Sequence, residues 1–296
     1  MKILNSEQYN NMLNEKLITF GGKAYPDYGN VVVMCGGAGS GKSFVAKNVL
    51  GIEAKTLSTD DILPRLMKFE DNHELSVEFK KLYGKTLAQC DLGEPEDCEA
   101  LHNFVNQKQF AKQQYGEMFG NIFTQKQKPN IIFDVTLKKY PKIEDISGLC
   151  IIGGYVPENI HMVWVLNSFV NAKEQNAKRD RKVPEEGLIA THKGVANVMK
   201  EVLTMSKSLG MIDGDIWIYF GSTNTGDTEM IQSDKGGSYI KDFVAVKIKE
   251  AGKQLDSFDQ MMNKKVKIYD KDHKFLGETT LRDKINEYIP DESEKF

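Results

Sequence analysis

The chain has 296 residues, 40% hydrophobic and 27% charged, which accommodates one large α/β domain with or without a small appendage. Its formal net charge of −3 and isoelectric point near 6.0 exclude a global basic field for recruiting nucleic acid, so any such contact needs a local patch. No apolar run approaches the ~20 residues of a membrane span.

Met1-Lys2-Ile3-Leu4 gives way to polar Asn5-Ser6-Glu7-Gln8, which is not a signal-peptide core. A cytoplasmic protein is expected, acting in the host cytoplasm if the gene is viral. Cys35, Cys90, Cys98 and Cys150 form no C-x-x-C pair and read as four reduced thiols.

In chain order, residues 5–19 read as an amphipathic helix, with Tyr9, Met12, Leu13 and Leu17 on one side, followed by a Gly-Gly turn at 21–22. The run Asn30-Val31-Val32-Val33-Met34-Cys35 has the pattern of a strand buried on both faces. A helix is expected over 42–50 and a short strand over 54–59, ending in Asp60-Asp61. The acid-rich stretch 62–98 reads as a helical insertion and loop with a solvated face. A helix over 99–125 leads to a third strand, Ile131-Ile132-Phe133-Asp134-Val135. Then come a helix over 142–153, a strand over 161–166, helices over 168–180 and 187–208, and a strand over 216–220.

Strands alternating with helices imply crossover connections and a mainly parallel sheet. Beyond Phe220 the texture changes. A Gly/Ser/Thr/Asn-rich loop is expected to 237, a helix over 239–262, a small hairpin over 265–279 and a loose acidic tail from Asp291. The expected organisation is a core over 1–220 and a C-terminal extension over 221–296.

Gly36-Gly37-Ala38-Gly39-Ser40-Gly41-Lys42-Ser43 fits G-x-x-x-x-G-K-[ST] in full. Glycines let the backbone bend so that several N–H groups face one anion. Lys42 is expected to reach the β and γ phosphate oxygens, and Ser43 to offer its hydroxyl to Mg²⁺. The guanine-reading pattern N-K-x-D fails at Asn263-Lys264-Lys265-Val266, which favours ATP. Asp60-Asp61 and Asp134 end the second and third strands, on the sheet edge that carries the phosphate loop. One carboxylate can take a proton from an acceptor hydroxyl while another holds the Mg²⁺ water shell. Asp60, Asp61 and Asp134 all remain candidates for the base, with Asp61 the better candidate for a helix cap. The basic segment Lys178-Arg179-Asp180-Arg181-Lys182-Val183-Pro184, within a stretch of about 178–187, reads as a lid over the phosphates.

This order of motifs resembles the zeta-toxin kinases and the kinase domains of polynucleotide kinases. The matching stretches are Gly36–Ser43, Ser58-Thr59-Asp60-Asp61, Asp134-Val135-Thr136, Gly154-Tyr155-Val156, and Arg179 to Pro184 with His192, within roughly residues 28–220. The resemblance implies a P-loop kinase fold with strand order 2-3-1-4-5, ATP and Mg²⁺, Asp60 as general base, and Arg179 and Arg181 as lid arginines. The acid at Asp134 also has a place in those families. An antitoxin-like partner is compatible with it.

Three acceptors follow: a hydroxyl on nucleic acid (a 5′ end or a hydroxymethyl base, as in viral DNA-hypermodification kinases), an amino-sugar nucleotide, or a free nucleoside or other metabolite. The lysines of the C-terminal region, interleaved with Tyr239, Phe243 and Tyr269, favour nucleic acid. Asp242, Glu250, Asp256, Asp259, Asp270 and Asp272 dilute their field. A nucleotide-dependent switch or ATPase without an acceptor is the competing class.

Overall fold

The computed structural model describes residues 29–48, 50, 54–205, 211–221, 230–233, 237–240, 243–269, 275–290 and 295–296. The helix expected over 5–19 and the turn at 21–22 lie outside them.

Five strands form a parallel sheet: β1 (Val31–Cys35), β2 (Lys55–Leu57), β3 (Ile131–Asp134), β4 (Ile160–Asn167) and β5 (Ile216–Gly221). Two further strands, β6 (Met230–Ser233) and β7 (Gly237–Ile240), pair with each other in an antiparallel ribbon. An antiparallel strand, β8 (Phe243–Lys249), extends the main sheet, whose order is β2-β3-β1-β4-β5-β8. The first five stand in the order 2-3-1-4-5, so the fold is the parallel α/β phosphate-loop type.

Side chains alternate across each strand, and here both faces are covered. Val31, Val33, Cys35, Ile131, Phe133 and Trp164 enter one core, and Val32, Met34, Ile132, Val163 and Val165 the other. That is why these strands read as unbroken apolar runs rather than alternating ones. Helix α1 (Lys42–Asn48) places Val45 and Ala46 in the second core.

The acidic insertion folds around an apolar cluster of its own. It contains α2 (Leu63–Leu66), α3 (Glu74–Tyr83) and the first part of α4 (Pro95–Gln107). Leu63, Phe79, Leu87, Leu101 and Phe104 are fully buried together. The acids do not all face water, since Asp97 is buried, ion-paired with Lys85 and accepting from Asp91 N–H. The helix expected over 99–125 is two helices, α4 and α5 (Phe110–Phe123). They are separated at Gln109, which stands in the left-handed region at φ 54°.

Helices α6 (Pro141–Ile152), α7 (Phe169–Ala177) and α8 (Glu185–Thr204) fall where expected. The region beyond 221 departs from expectation. Residues 230–233 and 237–240 are strands, and the stretch expected as one helix over 239–262 holds β7, β8 and only a short helix, α9 (Phe258–Met262). In β8 the Val-x-Val-x-Ile alternation suits a sheet edge, and pairing with β5 engages one side of its backbone. The expected hairpin is present as β9 (Lys265–Tyr269) against β10 (Phe275–Thr280), with its turn at 270–273 outside the described residues. A last helix, α10 (Leu281–Asn286), follows.

The expected loose tail ends on the core. Phe296 packs 5.7 Å from the Trp164 ring and 6.2 Å from Phe258, and its N–H donates to Asn286 Oδ1 at 2.8 Å. The four cysteines are buried and unpaired.

Candidate active site

The chain leaves β1 at Cys35 and re-enters regular structure at Lys42, so residues 36–41 form the loop at the carboxyl end of a central strand. Two glycines are required by their neighbours. A Cβ on Gly37 would lie 2.2 Å from the His192 ring, and one on Gly39, whose φ is +73°, would lie 2.3 Å from the Ala172 carbonyl oxygen. Lys42 curls back over the loop, donating to the carbonyls of Gly36 at 3.0 Å and Gly37 at 3.2 Å. Burial holds the Lys42 ammonium below its usual pKa, partly offset by Asp134, while Arg179 pushes it further down. Asp134, the last residue of β3, accepts from Ser43 Oγ at 2.8 Å and stands 3.9 Å from Lys42 Nζ.

Ser40 Oγ is buried with no partner. A buried hydroxyl left unsatisfied is costly, and here it lies within the glycine loop. The glycine bends, this orphaned donor and Lys42 together fit a nucleotide's phosphates. Among the described residues no three His, Cys, Asp or Glu side chains gather for a metal. A divalent ion would therefore be held by the Ser43–Asp134 pair, with phosphate oxygens as its other partners.

On the other side of the loop, Thr59–Asp61 form a single 3-10 turn after β2. Its cap is Ser58, whose Oγ accepts the Asp60 N–H at 3.2 Å; the helix that follows, α2, has Ile62 at its N-cap with no side-chain cap, so Asp61 does not cap it as expected. Asp60 Oδ1 is ion-paired with Arg181 Nη1 and lies 3.5 Å from His102 Nε2. Arg181 thus grips the carboxylate expected to act as base, and its Nε is buried without a partner. Arg179 lies in the fields of Asp60, Asp134 and Arg181. Burial first, then Arg181, lowers its pKa, while the two carboxylates oppose the change; a guanidinium remains charged. Of the residues singled out from the sequence, Lys42, Ser43 and Asp134 are in contact, Asp60 is paired with Arg181, and Arg179 lies within the electrostatic reach of both groups, while Asp61 makes no ion pair or side-chain hydrogen bond with them among the described residues.

Three supporting residues carry no signal in the sequence. Asn176, at the end of α7, accepts the Val183 N–H at 3.0 Å and donates to the Val183 carbonyl at 2.8 Å, closing the basic segment into a loop. The Lys182 N–H donates to Leu92 O at 3.2 Å, which ties that loop to the insertion. Thr191 Oγ1 accepts the Ala38 N–H at 3.0 Å. His102 comes from α4, one helical turn after buried Cys98.

His192, which belongs to the motif pattern, braces the phosphate loop. Its Nε2 lies 2.9 Å from Ala38 O, so the hydrogen is on Nε2. Burial lowers its pKa, the bond to Ala38 O opposes that, and Lys42 adds to the lowering. Tyr155 is structural: its hydroxyl donates to Pro129 O at 2.6 Å.

No known family profile and no curated protein matches the chain. Among solved structures, it is similar to one from the PezAT chromosomal toxin–antitoxin system of Streptococcus pneumoniae. Identity is 13%, coverage 97% of this chain and 88% of the other, and the TM-score 0.41. It is also similar to an AvrRxo1-ORF1:AvrRxo1-ORF2 structure with sulphate ions (14%, 84% and 66%, 0.38). A third is deoxyadenosine kinase from M. mycoides with products (14%, 66% and 91%, 0.30). Likeness at this level concerns the path of the chain alone.

Proposed function

We propose that this chain is an ATP-dependent phosphotransferase that moves a γ-phosphoryl group onto an alcohol. The observation that carries the reading is the convergence on one sheet edge of a glycine loop with Lys42, a Ser43–Asp134 pair, and a second carboxylate, Asp60, set beside two arginines. Phosphoryl transfer needs little covalent help from the protein; it needs positioning and charge stabilisation. Loop N–H groups and Lys42 hold the phosphates. Ser43 and Asp134 would hold Mg²⁺, whose charge lowers the repulsion between phosphate oxygens. Asp60, 39% exposed, is reachable by a hydroxyl and takes its proton. Arg179, and the unpaired Nε face of Arg181, meet charge developing on the transferring group.

For the acceptor, a nucleic-acid hydroxyl is the first class to test and an amino-sugar nucleotide the second. Many C-terminal lysines are already engaged: Lys249 is buried and bonded to Asp213, Lys247 pairs with Asp215 and lies over Trp217, and Lys264 pairs with Asp256. Lys265 and Lys267 stand exposed on β9 and remain available to a polyanion.

The test is label transfer from γ-labelled ATP with Mg²⁺ to 5′-hydroxyl oligonucleotides, hydroxymethyl-pyrimidine DNA and amino-sugar nucleotides. Lys42→Ala is expected to lose about 100-fold or more in transfer with the fold intact, as removing a single preorganised charge does elsewhere. Asp60→Asn is expected to bind ATP but not transfer. Near wild-type transfer by Lys42→Ala would end this reading. Free phosphate with no labelled acceptor would move it to an ATPase.

A further inference from the structure

We infer that His102, delivered by the helical insertion, is a positioning residue for Asp60. This rests on Asp60 being the base of the phosphotransfer reading. Both partners of the carboxylate meet the same oxygen: Arg181 Nη1 and His102 Nε2 approach Asp60 Oδ1. Asp60 keeps 39% of its side chain exposed, so a carboxylate held through Oδ1 can present its other oxygen to an acceptor hydroxyl.

The two holders come from different elements. Arg181 sits in the loop closed by Asn176, and His102 on a helix whose next residues toward either end, Cys98, Leu101, Phe104 and Val105, are packed in the insertion's own core. Leu92 of the insertion accepts the Lys182 N–H, so the elements that carry the two holders are also joined to each other. The insertion thus completes the base side of the site.

His102 is 30% exposed and faces Asp60 from the turn after β2, Arg181 from the loop after α7 and Lys138 from the segment after β3. Burial lowers its pKa, Asp60 raises it, and Arg181 and Lys138 lower it again, so it is neutral near pH 7 and its Nε2–H can face the carboxylate. Acidification adds a proton and turns this contact into a full ion pair that holds Asp60 against reaction.

The experiment has two arms on the full chain. In the first, histidine-labelled protein is titrated by NMR, with the His102 resonance assigned by its absence from His102→Gln. Its pKa is expected to fall in Asp60→Asn, which removes the carboxylate that raises it; an unchanged value would overturn the proposal. In the second, transfer is measured on whichever acceptor the panel identifies.

His102→Ala is expected to lose about tenfold in kcat, with KM for ATP within about twofold, because a displaced base costs rate rather than nucleotide binding. His102→Gln, which keeps an N–H donor, is expected to recover most of kcat and to flatten the decline at acid pH. Equal kcat in His102→Ala and wild type, or no recovery in His102→Gln, would overturn it. If the wild-type chain labels no acceptor while the NMR coupling is present, the phosphotransfer reading falls and the His102–Asp60 pairing stands.

Discussion

Gly37 and His192 meet across a sequence separation that no local pattern encodes: the His192–Ala38 bond spans 154 residues. The eight-residue phosphate motif is legible because its chemistry is local, each residue type being demanded by the loop itself. The ring seated on it is not. Gly37→Ala would drive a methyl into the imidazole, 2.2–2.4 Å from three ring atoms, and the ring is held by its bond to Ala38. ATP affinity is expected to fall at least tenfold by calorimetry while circular dichroism stays unchanged.

The same histidine sets a pH response. Its folded pKa is depressed from 6.5, so on acidification the unfolded chain takes up the proton first. Between the two pKa values the unfolded state holds more protons, and stability falls as pH drops below about 6.5. His102 acts in the same direction. The thermal midpoint should therefore decline from pH 7 to pH 5.5, and decline less in His192→Asn. An equal slope in the two proteins would show that His192 is not the group responsible.

Elements were legible where burial dictated them and not where neighbours did. β1, β3, β4 and β5 announce themselves as apolar runs because both faces are covered. β8 carries a period-2 alternation, Val244-x-Val246-x-Ile248, too short to stand out within the longer stretch expected as helix over 239–262, and its strand state comes from pairing with β5. The basic loop was visible as charge, but its shape comes from one amide. Asn176→Leu keeps the volume and removes both bonds to Val183. Lys178, Arg179, Arg181 and Lys182 all lie in the loop so closed, which makes trypsin a direct probe. Cleavage within 178–182 is expected to quicken several-fold in the native protein, with kcat down about tenfold and α7 still helical. Unchanged cleavage would mean that the contact to Leu92 suffices to hold the loop.

At the scale of the molecule, strand order decides where chemistry can occur. With β1 between β3 and β4, register sets Asp134 opposite Met34 at the edge where the phosphate loop leaves β1, and the loop returns Lys42 to 3.9 Å from it. That arrangement follows from alternating elements and could be read in advance. The closure of the other face could not, because it depends on residues far apart in the chain. Trp164 in β4, Phe258 in α9 and Phe296 form one aromatic stack, with Lys200 of α8 over the Phe296 ring and bonded to Lys295 O. Polar sequence around 291–295 hid this, since composition alone predicts a solvated tail. Phe296→Ala removes a partly buried ring and its two aromatic contacts, about 1–2 kcal/mol. For a chain of this size that corresponds to a thermal midpoint lower by about 2–6 °C. The phosphate loop and Asp60 make none of these contacts, so KM for ATP should stay within about twofold. A midpoint that does not move would mean that the ring rests on the core without helping to hold it. A lower midpoint with intact nucleotide binding would show that the C-terminal end stabilises the domain by covering its core.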